Sequence, residues 1–445
     1  MSHPYSMEKK YRYYEPRQLM LLPPSIDEWL PEKHMARFLG EIIDSMNISA
    51  IEAPYEKELR GYPPYHPRLM LKVLIYGYCM GVRSSRKLAK ECVEDVAFRY
   101  LAANQFPDFR TISDFRKRHI EAFGRLFLEV LMLCEVAGLA SVGHVALDGA
   151  KVGANASKHK AMSYERMKAE EARLAKEIAE ITALAQATDV QEDQRLGIDN
   201  AGNELPKELE RREDRLSTIQ EAKAALEKRA ADRQKESEKE DGTREDPPKP
   251  GGKEQYNFTD PESRIMPSSE NKKNFTQAYN AQAAVNENQI IVATSVSNQV
   301  SDCPQLPGMM VKVRENTGTL PDDLTADAGY FSEKNVLLLW EVLRIRALIP
   351  PDKQRHGRTF KVPEKEPGPR DPLSNHMRWL LSTDIGRTTY ALRKALVEPV
   401  FGQIKTCMNF RRFLLRGEIK VSGEWHLACL CHNLRKLYQF QGAVV

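Results

Sequence analysis

The sequence of 445 residues contains no apolar run long enough to cross a membrane. Its most apolar stretch, from Leu69 to Met80, is too short for this and contains Lys72. The first residues, MSHPYSMEKKYRYYEP, do not have the apolar centre of a secretory signal. We therefore expect a cytoplasmic protein with no membrane partner.

The sequence also lacks a cysteine framework and a strong charge bias. Its seven cysteines are odd in number and irregularly spaced, which excludes a disulfide-rich secreted class and favours a reducing compartment. Cys429, Cys431 and His432 form only half of a zinc-binding pattern. The net charge is only +4, but residues 391–445 are richer in basic than in acidic residues. This tail suits either a polyphosphate partner or a solvated basic face.

Residues 1–140 read as a helical domain. One predicted helix begins at Pro67 and ends before Gly81, and a second, SRKLAKECVEDVAFRYLAA, is predicted to begin at Ser84 and Ser85. Thr111 to Asp114 is predicted to cap a third helix, which Gly138 closes. Basic residues cluster near two of these helix starts and are candidate DNA contacts: Arg86, Lys87, Arg116 and Lys117. A helix-turn-helix DNA reader and an ordinary bundle with basic faces both fit this pattern.

Residues 158–255 have the pattern of an inserted, charged helical hairpin. Leu174, Ile178, Ile181 and Ala185 recur at helical spacing in one arm, and Leu209, Leu216, Ile219, Leu226 and Ala230 do so in the other. The segment GIDNAGN predicts a turn between the arms, and SEKEDGTREDPPKPGGKEQ predicts a flexible linker after them.

Residues 141–157 and 256–445 alternate between strand-like and helix-like patterns. The predicted order is a strand, two hairpin strands, and then helices alternating with strands. Such an order predicts a mixed α/β sheet flanked by helices, with the hairpin inserted after the first strand.

Two aspartates end predicted strands within this α/β region. Asp148 follows VAL and precedes Gly149, while Asp327 follows LTA and Gly329 comes two residues later. Ligands bind at the carboxyl edge of such sheets, and small neighbours would let a phosphate backbone approach. Glu398, on a late predicted helix, could bring a third carboxylate there. Three carboxylates can hold two hard cations such as Mg²⁺. Strand-end turn formers and a solvated glutamate are the alternative reading.

Five segments in this order resemble the bacterial insertion-sequence transposases of the DDE class: ALDGAKVGANASKHK, TDPESRIM, YNAQAAVNENQIIVATSVSN, TADAGYFSEKN and LVEPVFGQIK. The segments PPYHPRLMLKVLIYGY, SSRKLAKEC and FPDFRTISDFRKRH are similar to the helical domain that precedes the catalytic core in that group. The resemblance covers nearly the whole chain, and the charged hairpin is its weakest part.

The resemblance implies an RNase H-like core that cuts DNA at the terminal inverted repeats and transfers the freed strand into target DNA. Asp148, Asp327 and Glu398 would bind two Mg²⁺ or Mn²⁺ ions and form the catalytic triad. Tyr390, Arg393, Glu398 and Lys405 match a Tyr-Arg-Glu-Lys signature, in which the tyrosine, arginine and lysine hold DNA. A homodimer or higher oligomer that associates with the bacterial nucleoid when bound to DNA is also implied.

The signature departs from its commonest form, because four residues rather than three separate Arg393 from Glu398. On a straight helix Lys394 would lie closer to the Glu398 face than Arg393 does. We therefore hypothesise a π-bulge just before Pro399, which would restore the alignment of Arg393. A regular helix would instead pass the role of Arg393 to Lys394.

Three other functions stay open from the sequence. A catalytically inactive relative that only binds DNA is disfavoured because all three acids are present. An RNase H-like nuclease without strand transfer is disfavoured by the signature and the helical N-terminal region. A coiled-coil scaffold protein is supported only by the hairpin.

Overall fold

A computed structural model describes residues 25–56, 63–196, 207–241, 250–267, 274–352 and 362–444. Within these ranges, side chains are described except for 184–196, 207–208, 235–241 and 442–444. No helix in the described ranges is long and apolar enough to cross a membrane.

The N-terminal part is helical. Its helices are α1 (Met35–Ser45), α2 (Ser49–Glu56), α3 (Pro67–Cys79), α4 (Ser85–Glu94), α5 (Val96–Leu101), α6 (Phe109–Arg118) and α7 (Phe123–Val136). As predicted, α3 begins at Pro67, and Gly81 follows it with a φ of +77°. Nearly every side chain of α3 is buried, because the helix is apolar on all sides.

Two long helices predicted in this part are each broken. The first ends at Glu94, because the Asp95 carboxylate accepts a hydrogen bond from the Phe98 N–H and starts a new helix. The second begins earlier than predicted, at Phe109, where Asp108 rather than Thr111 is the cap. It ends before His119, so α6 and α7 are separate helices.

The strands are β1 (His144–Gly153), β2 (Ala161–Ser163), β3 (Gln255–Asn257), β4 (Arg264–Pro267), β5 (Phe275–Asn286), β6 (Ile291–Ser297), β7 (Asp323–Ala326) and β8 (Arg346–Leu348). The main sheet has the order β6-β5-β1-β7-β8, and β4 pairs with the first part of β5. Strands β6, β5 and β1 are antiparallel, whereas β1, β7 and β8 are parallel. The sheet is therefore mixed, as predicted.

Two long helices follow β1 along the chain and precede the remaining strands of the main sheet. They are α8 (Tyr164–Leu196) and α9 (Lys207–Asp241). They pack together around an apolar cluster of their own, which includes Leu174, Ile219 and Leu226. Ion pairs join the two arms, among them Arg212 with Glu177 at 3.0 Å.

The predicted turn between these arms, residues 197–203, lies outside the described residues, and so does the side chain of Ala185. The prediction of a flexible linker over 237–255 is wrong at both its ends. Helix α9 continues to Asp241, and Gln255 begins β3, which pairs with β2 at the base of the arms. Residues 242–249 lie outside the described part of the chain.

The remaining helices are α10 (Gln305–Thr317), α11 (Glu333–Leu337), α12 (Leu373–Ser382), α13 (Asp384–Thr406) and α14 (Glu418–Val444). Helix α11 continues into a π-helical turn at Leu338–Val342. Helix α13 packs on β1, β5 and β7. Helix α14 packs against α3, α7 and β6, so one apolar core extends from the N-terminal helices to the sheet.

Candidate metal centre and nucleic-acid interface

The sheet register brings Asp148 and Asp327 side by side. Leu147 of β1 pairs with Ala326 of β7 in parallel register, and each aspartate is the next residue along the chain. Asp327 follows the end of β7, as predicted. Asp148 does not end its strand, because β1 continues to Gly153 paired with β5. The two acids predicted from separate segments are therefore neighbours.

Asp148 is held from two sides. Its Oδ1 accepts a hydrogen bond of 2.8 Å from the Gly149 N–H, and its Oδ2 lies 2.9 Å from Arg393 Nη2. Burial raises the pKa of Asp148 to about 6, and the Arg393 charge opposes this rise. The negative charges of Asp327 and Asp302 raise the pKa further. The site thus concentrates negative charge that one arginine only partly balances.

Helix α13 supplies the third acid and the arginine. Arg393 Nη1 lies 3.6 Å from Glu398 Oε1, so one guanidinium bridges Asp148 and Glu398. The Glu398 side chain is 54% exposed, whereas that of Arg393 is 11% exposed. Burial raises the pKa of Tyr390, which also feels the charges of Arg393 and the three acids. Tyr390 and Arg393 therefore face the acids.

The hypothesis of a π-bulge before Pro399 is wrong, because α13 is α-helical from Asp384 to Thr406. The expected transfer of the arginine's role to Lys394 does not follow. The long Arg393 side chain reaches from the helix to Asp148 on the sheet, while Lys394 is exposed. Lys405 is half-buried near the end of the same helix.

Asp302, which reads as a cap or turn residue in the sequence, belongs to the same site. It lies in the turn before α10, but its Oδ1 is 2.8 Å from Lys151 Nζ. The same oxygen accepts hydrogen bonds from Asn280 Nδ2 at 2.7 Å and Gln282 Nε2 at 2.9 Å. Asn280 and Gln282 are polar residues in a fully buried part of β5. That unusual placement was the one sequence signal of this network.

The glycines near the two aspartates make room for the protein's own side chains. A Cβ at Gly149 would lie 2.3 Å from Gln282 Nε2 and 2.8 Å from Asp302 Oδ1. A Cβ at Gly329 would lie 2.9 Å from Asp327 Oδ1 and 3.3 Å from Asp302 Oδ2. The interpretation that these small residues admit a phosphate backbone is therefore corrected. They admit carboxylate and amide groups from neighbouring elements.

The donor chemistry of the site fits a hard divalent cation, since carboxylate oxygens are the ligands that Mg²⁺ and Mn²⁺ favour. Beside Gly329, carboxylate oxygens of Asp327 and Asp302 approach each other, which adds to this donor set. In the described residues no three histidine, cysteine, aspartate or glutamate side chains are grouped closely enough to hold a metal as they stand. The cation between Asp148 and Glu398 in this arrangement is the Arg393 guanidinium.

A second, basic region lies between α4 and α6. Arg86 and Lys87 are exposed in the first turn of α4, whereas Lys117 is exposed in the last turn of α6 and not near a helix start as predicted. A groove between the two helices is lined by Arg86, Arg110 and Lys117 together with Asp114 and serine hydroxyls. Arg116 also lines this groove, but its side chain is only 5% exposed. The guanidinium donates hydrogen bonds to the Tyr78 hydroxyl and the Arg83 carbonyl, so most of it is packed inside the protein.

Two family models match the chain. Residues 24–118 match the model described as "Transposase domain (DUF772)", and residues 238–434 match the model described as "Transposase DDE domain". No curated protein and no solved structure matches the chain.

The matched segments cover the helical N-terminal region and most of the sheet with its helices. A DDE domain implies an RNase H-like fold, and the mixed sheet flanked by helices agrees with this. The chain belongs to the insertion-sequence transposases of the DDE class. This confirms the resemblance found in the sequence, and membership in this class implies that the protein acts on DNA with a divalent metal.

Proposed function

We propose that the protein cleaves DNA at the terminal inverted repeats of an insertion sequence and joins the freed strand to target DNA. The observation that carries the proposal is the parallel register of β1 and β7, which brings Asp148 and Asp327 together at the sheet edge. Helix α13 packs against both strands and carries Glu398 toward the same edge. Asp148, Asp327 and Glu398 are the proposed catalytic and metal-binding residues.

Two Mg²⁺ or Mn²⁺ ions held by these acids would activate a water or a 3′-hydroxyl and stabilise the leaving oxygen at the phosphodiester. Without DNA, Arg393 neutralises part of the charge of Asp148 and Glu398. Its planar guanidinium can move to a phosphate, which it binds through paired hydrogen bonds. Such a move would free both carboxylates for metal at the moment DNA arrives.

The proposed DNA contacts lie in two regions. Tyr390, Arg393 and Lys405 on α13 would hold the DNA end beside the acids. Arg86 and Lys87 at the start of α4, together with Arg116 and Lys117 in the last turn of α6, would contact the DNA backbone, where exposed cations release counterions on binding.

The proposed division of labour follows the chain. Residues 1–140 bind DNA, residues 141–157 and 256–445 form the catalytic core, and residues 158–255 form an inserted hairpin. We propose a homodimer or higher oligomer, since two element ends must be joined in one complex.

The test is a cleavage and strand-transfer assay with Mg²⁺ or Mn²⁺, on DNA that carries the repeats flanking the gene. Asp327→Asn should lower cleavage at the repeat tip at least about a thousandfold, because a metal ligand contributes several kcal/mol to the transition state. The matched control is Asp322→Asn, which changes an exposed aspartate at the opposite end of β7 and should cut like wild type.

Two other outcomes of this assay would each favour a rival function, and a third would remove a residue from the proposed site. Cleavage without joined strands would favour a nuclease. Binding without cleavage in either metal would favour an inactive DNA-binding relative. Equal cleavage by wild type and Asp327→Asn would remove Asp327 from the catalytic residues.

A further inference from the structure

We propose that Asp302 is a fourth carboxylate of the metal centre and acts there through its Oδ2 atom. The inference rests on the proposed function, because it assigns a further ligand to the same site. Neither the sequence motifs nor the signature residues on α13 point to Asp302, which lies in the turn between β6 and α10.

The Asp302 carboxylate is fixed by three donors that all reach one oxygen. Lys151 Nζ, Asn280 Nδ2 and Gln282 Nε2 lie 2.8, 2.7 and 2.9 Å from Oδ1. Gln282 is itself held, because the Tyr330 hydroxyl donates to its Oε1. The residues that orient Asp302 come from β1, β5 and the turn after β7, so the carboxylate cannot rotate without breaking several hydrogen bonds.

The second oxygen of Asp302 faces the proposed centre. A Cβ at Gly329 would lie 3.3 Å from Asp302 Oδ2 and 2.9 Å from Asp327 Oδ1. Two carboxylate oxygens from different elements thus face one position, and only the hydrogen of a glycine occupies it. The hydrogen bonds found for Asp302 among the described residues reach Oδ1, so Oδ2 keeps its capacity to bind a cation.

The chemistry favours a ligand over a purely structural carboxylate. Mg²⁺ takes about six oxygen ligands in near-octahedral arrangement and usually keeps several waters, so a further carboxylate beside the ion can replace one of these waters. Asp302 is 20% exposed, like Asp148, and is therefore open to an ion at the sheet edge. A carboxylate whose one oxygen is anchored and whose other oxygen is directed at a neighbouring acid is preorganised for this role.

The rival explanation is that Asp302 only supports Asn280, Gln282 and the turns that contain Gly149 and Gly329. Two substitutions separate the explanations. Asp302→Asn keeps an oxygen that can accept the three hydrogen bonds at the Oδ1 position, but replaces Oδ2 with an amide nitrogen. Asp302→Ala removes both oxygens. If Asp302 is a ligand, both variants should bind the metal more weakly. If Asp302 only supports its neighbours, only the alanine variant should do so.

The experiment is Mn²⁺ binding measured by titration calorimetry on the full chain without DNA. We expect Asp302→Asn to weaken Mn²⁺ binding at least about tenfold, nearly as much as Asp302→Ala, with a thermal midpoint close to wild type. Asp322→Asn should bind Mn²⁺ like wild type, and Asp327→Asn should bind it much more weakly.

The outcomes separate failure of this inference from failure of the proposed function. Wild-type affinity in Asp302→Asn, together with weak binding in Asp327→Asn, would overturn the role of Asp302 and leave the metal centre in place. Absence of Mn²⁺ binding both in wild type and in Arg393→Ala, where the guanidinium no longer competes, would overturn the metal centre itself and the fourth ligand with it. Unchanged binding in Asp327→Asn would do the same.

Discussion

The two acids that the sheet carries and the acid on helix α13 are held in different ways. Asp148 and Asp327 follow directly paired residues of β1 and β7, so backbone hydrogen bonds fix their spacing. Glu398 stands on α13, and its side chain is 54% exposed against 20% for Asp148. Its contact with the other acids runs through Arg393.

The difference teaches where the site is preorganised and where it can move. A sheet edge places two carboxylates at almost no entropic cost, because the strands are already ordered by the core. A glutamate on an exposed helix face keeps its rotamer freedom and loses it only on binding. We therefore expect metal and DNA binding to rearrange the α13 side of the site and to leave the β1–β7 edge unchanged.

Gly329→Ala would disturb the preorganised side of the site, where β1 and β7 meet, and has the largest expected effect. The new Cβ would lie 2.9 Å from Asp327 Oδ1, so that carboxylate must rotate away. Mn²⁺ affinity should fall roughly 10–100-fold, as for other changes that misorient a ligand. Gly308→Ala is the control, because nothing lies within 4 Å of its Cβ position on α10. Wild-type Mn²⁺ binding by Gly329→Ala in calorimetry would show that the edge is not rigid.

Arg393→Ala would sharpen the comparison, because it removes the ion pairs that link Asp148 on β1 to Glu398 on α13. The guanidinium occupies the space between Asp148 and Glu398, so its loss should raise Mn²⁺ affinity without DNA about tenfold. Cleavage of DNA should nevertheless fall, because the proposed phosphate contact is lost. Lys394→Ala, at an exposed neighbouring position, should change neither Mn²⁺ affinity nor cleavage. Unchanged Mn²⁺ affinity in Arg393→Ala would mean that the arginine and the metal do not compete.

Asp148→Asn would test the burial difference through stability and has the smallest expected effect. The pKa of Asp148 is raised from 3.8 to about 6 in the folded state, so as the pH falls the folded state takes up this proton before the unfolded state does. Protonation of Asp148 therefore stabilises the folded state. This stabilisation is complete below about pH 4 and is lost as the pH rises through 6. Between pH 7 and 5 in EDTA, wild type should gain roughly 1 kcal/mol relative to Asp148→Asn. The free energy of unfolding, measured with denaturant at both pH values, tests this. Equal changes in the two proteins would contradict a raised pKa of Asp148.

The meeting of Asp148 and Asp327 was predicted from the sequence, because each follows a short apolar run and parallel strands carry ligands at their carboxyl ends. The length of β1 was not predicted, since its second half, which continues past Asp148 to Gly153, is ordered by pairing with β5. The helix pattern allowed Glu398 to reach the same place, and the family resemblance implied that it does. The DNA contact of Arg116 stays a prediction. Sequence marks this residue as basic near a helix start, but packing of α3 and α4 against α6 buries most of its side chain beside Tyr78 and Glu424.

Local patterns determined the elements themselves. Apolar strands and the spacing of leucines in the hairpin act over a few residues, and the sequence displays them directly. The caps Asp95 and Asp108 are equally local, but they were not predicted, so two helix boundaries were wrong. Only the tertiary structure decided that Asp302 faces Gly329 and that Arg393 reaches Asp148 from a regular helix. The physical reason is that such contacts depend on how distant elements pack and on side-chain length. Lys151, Asn280 and Asp302 meet because three separate elements converge, and nothing in their own neighbourhoods along the chain specifies that meeting.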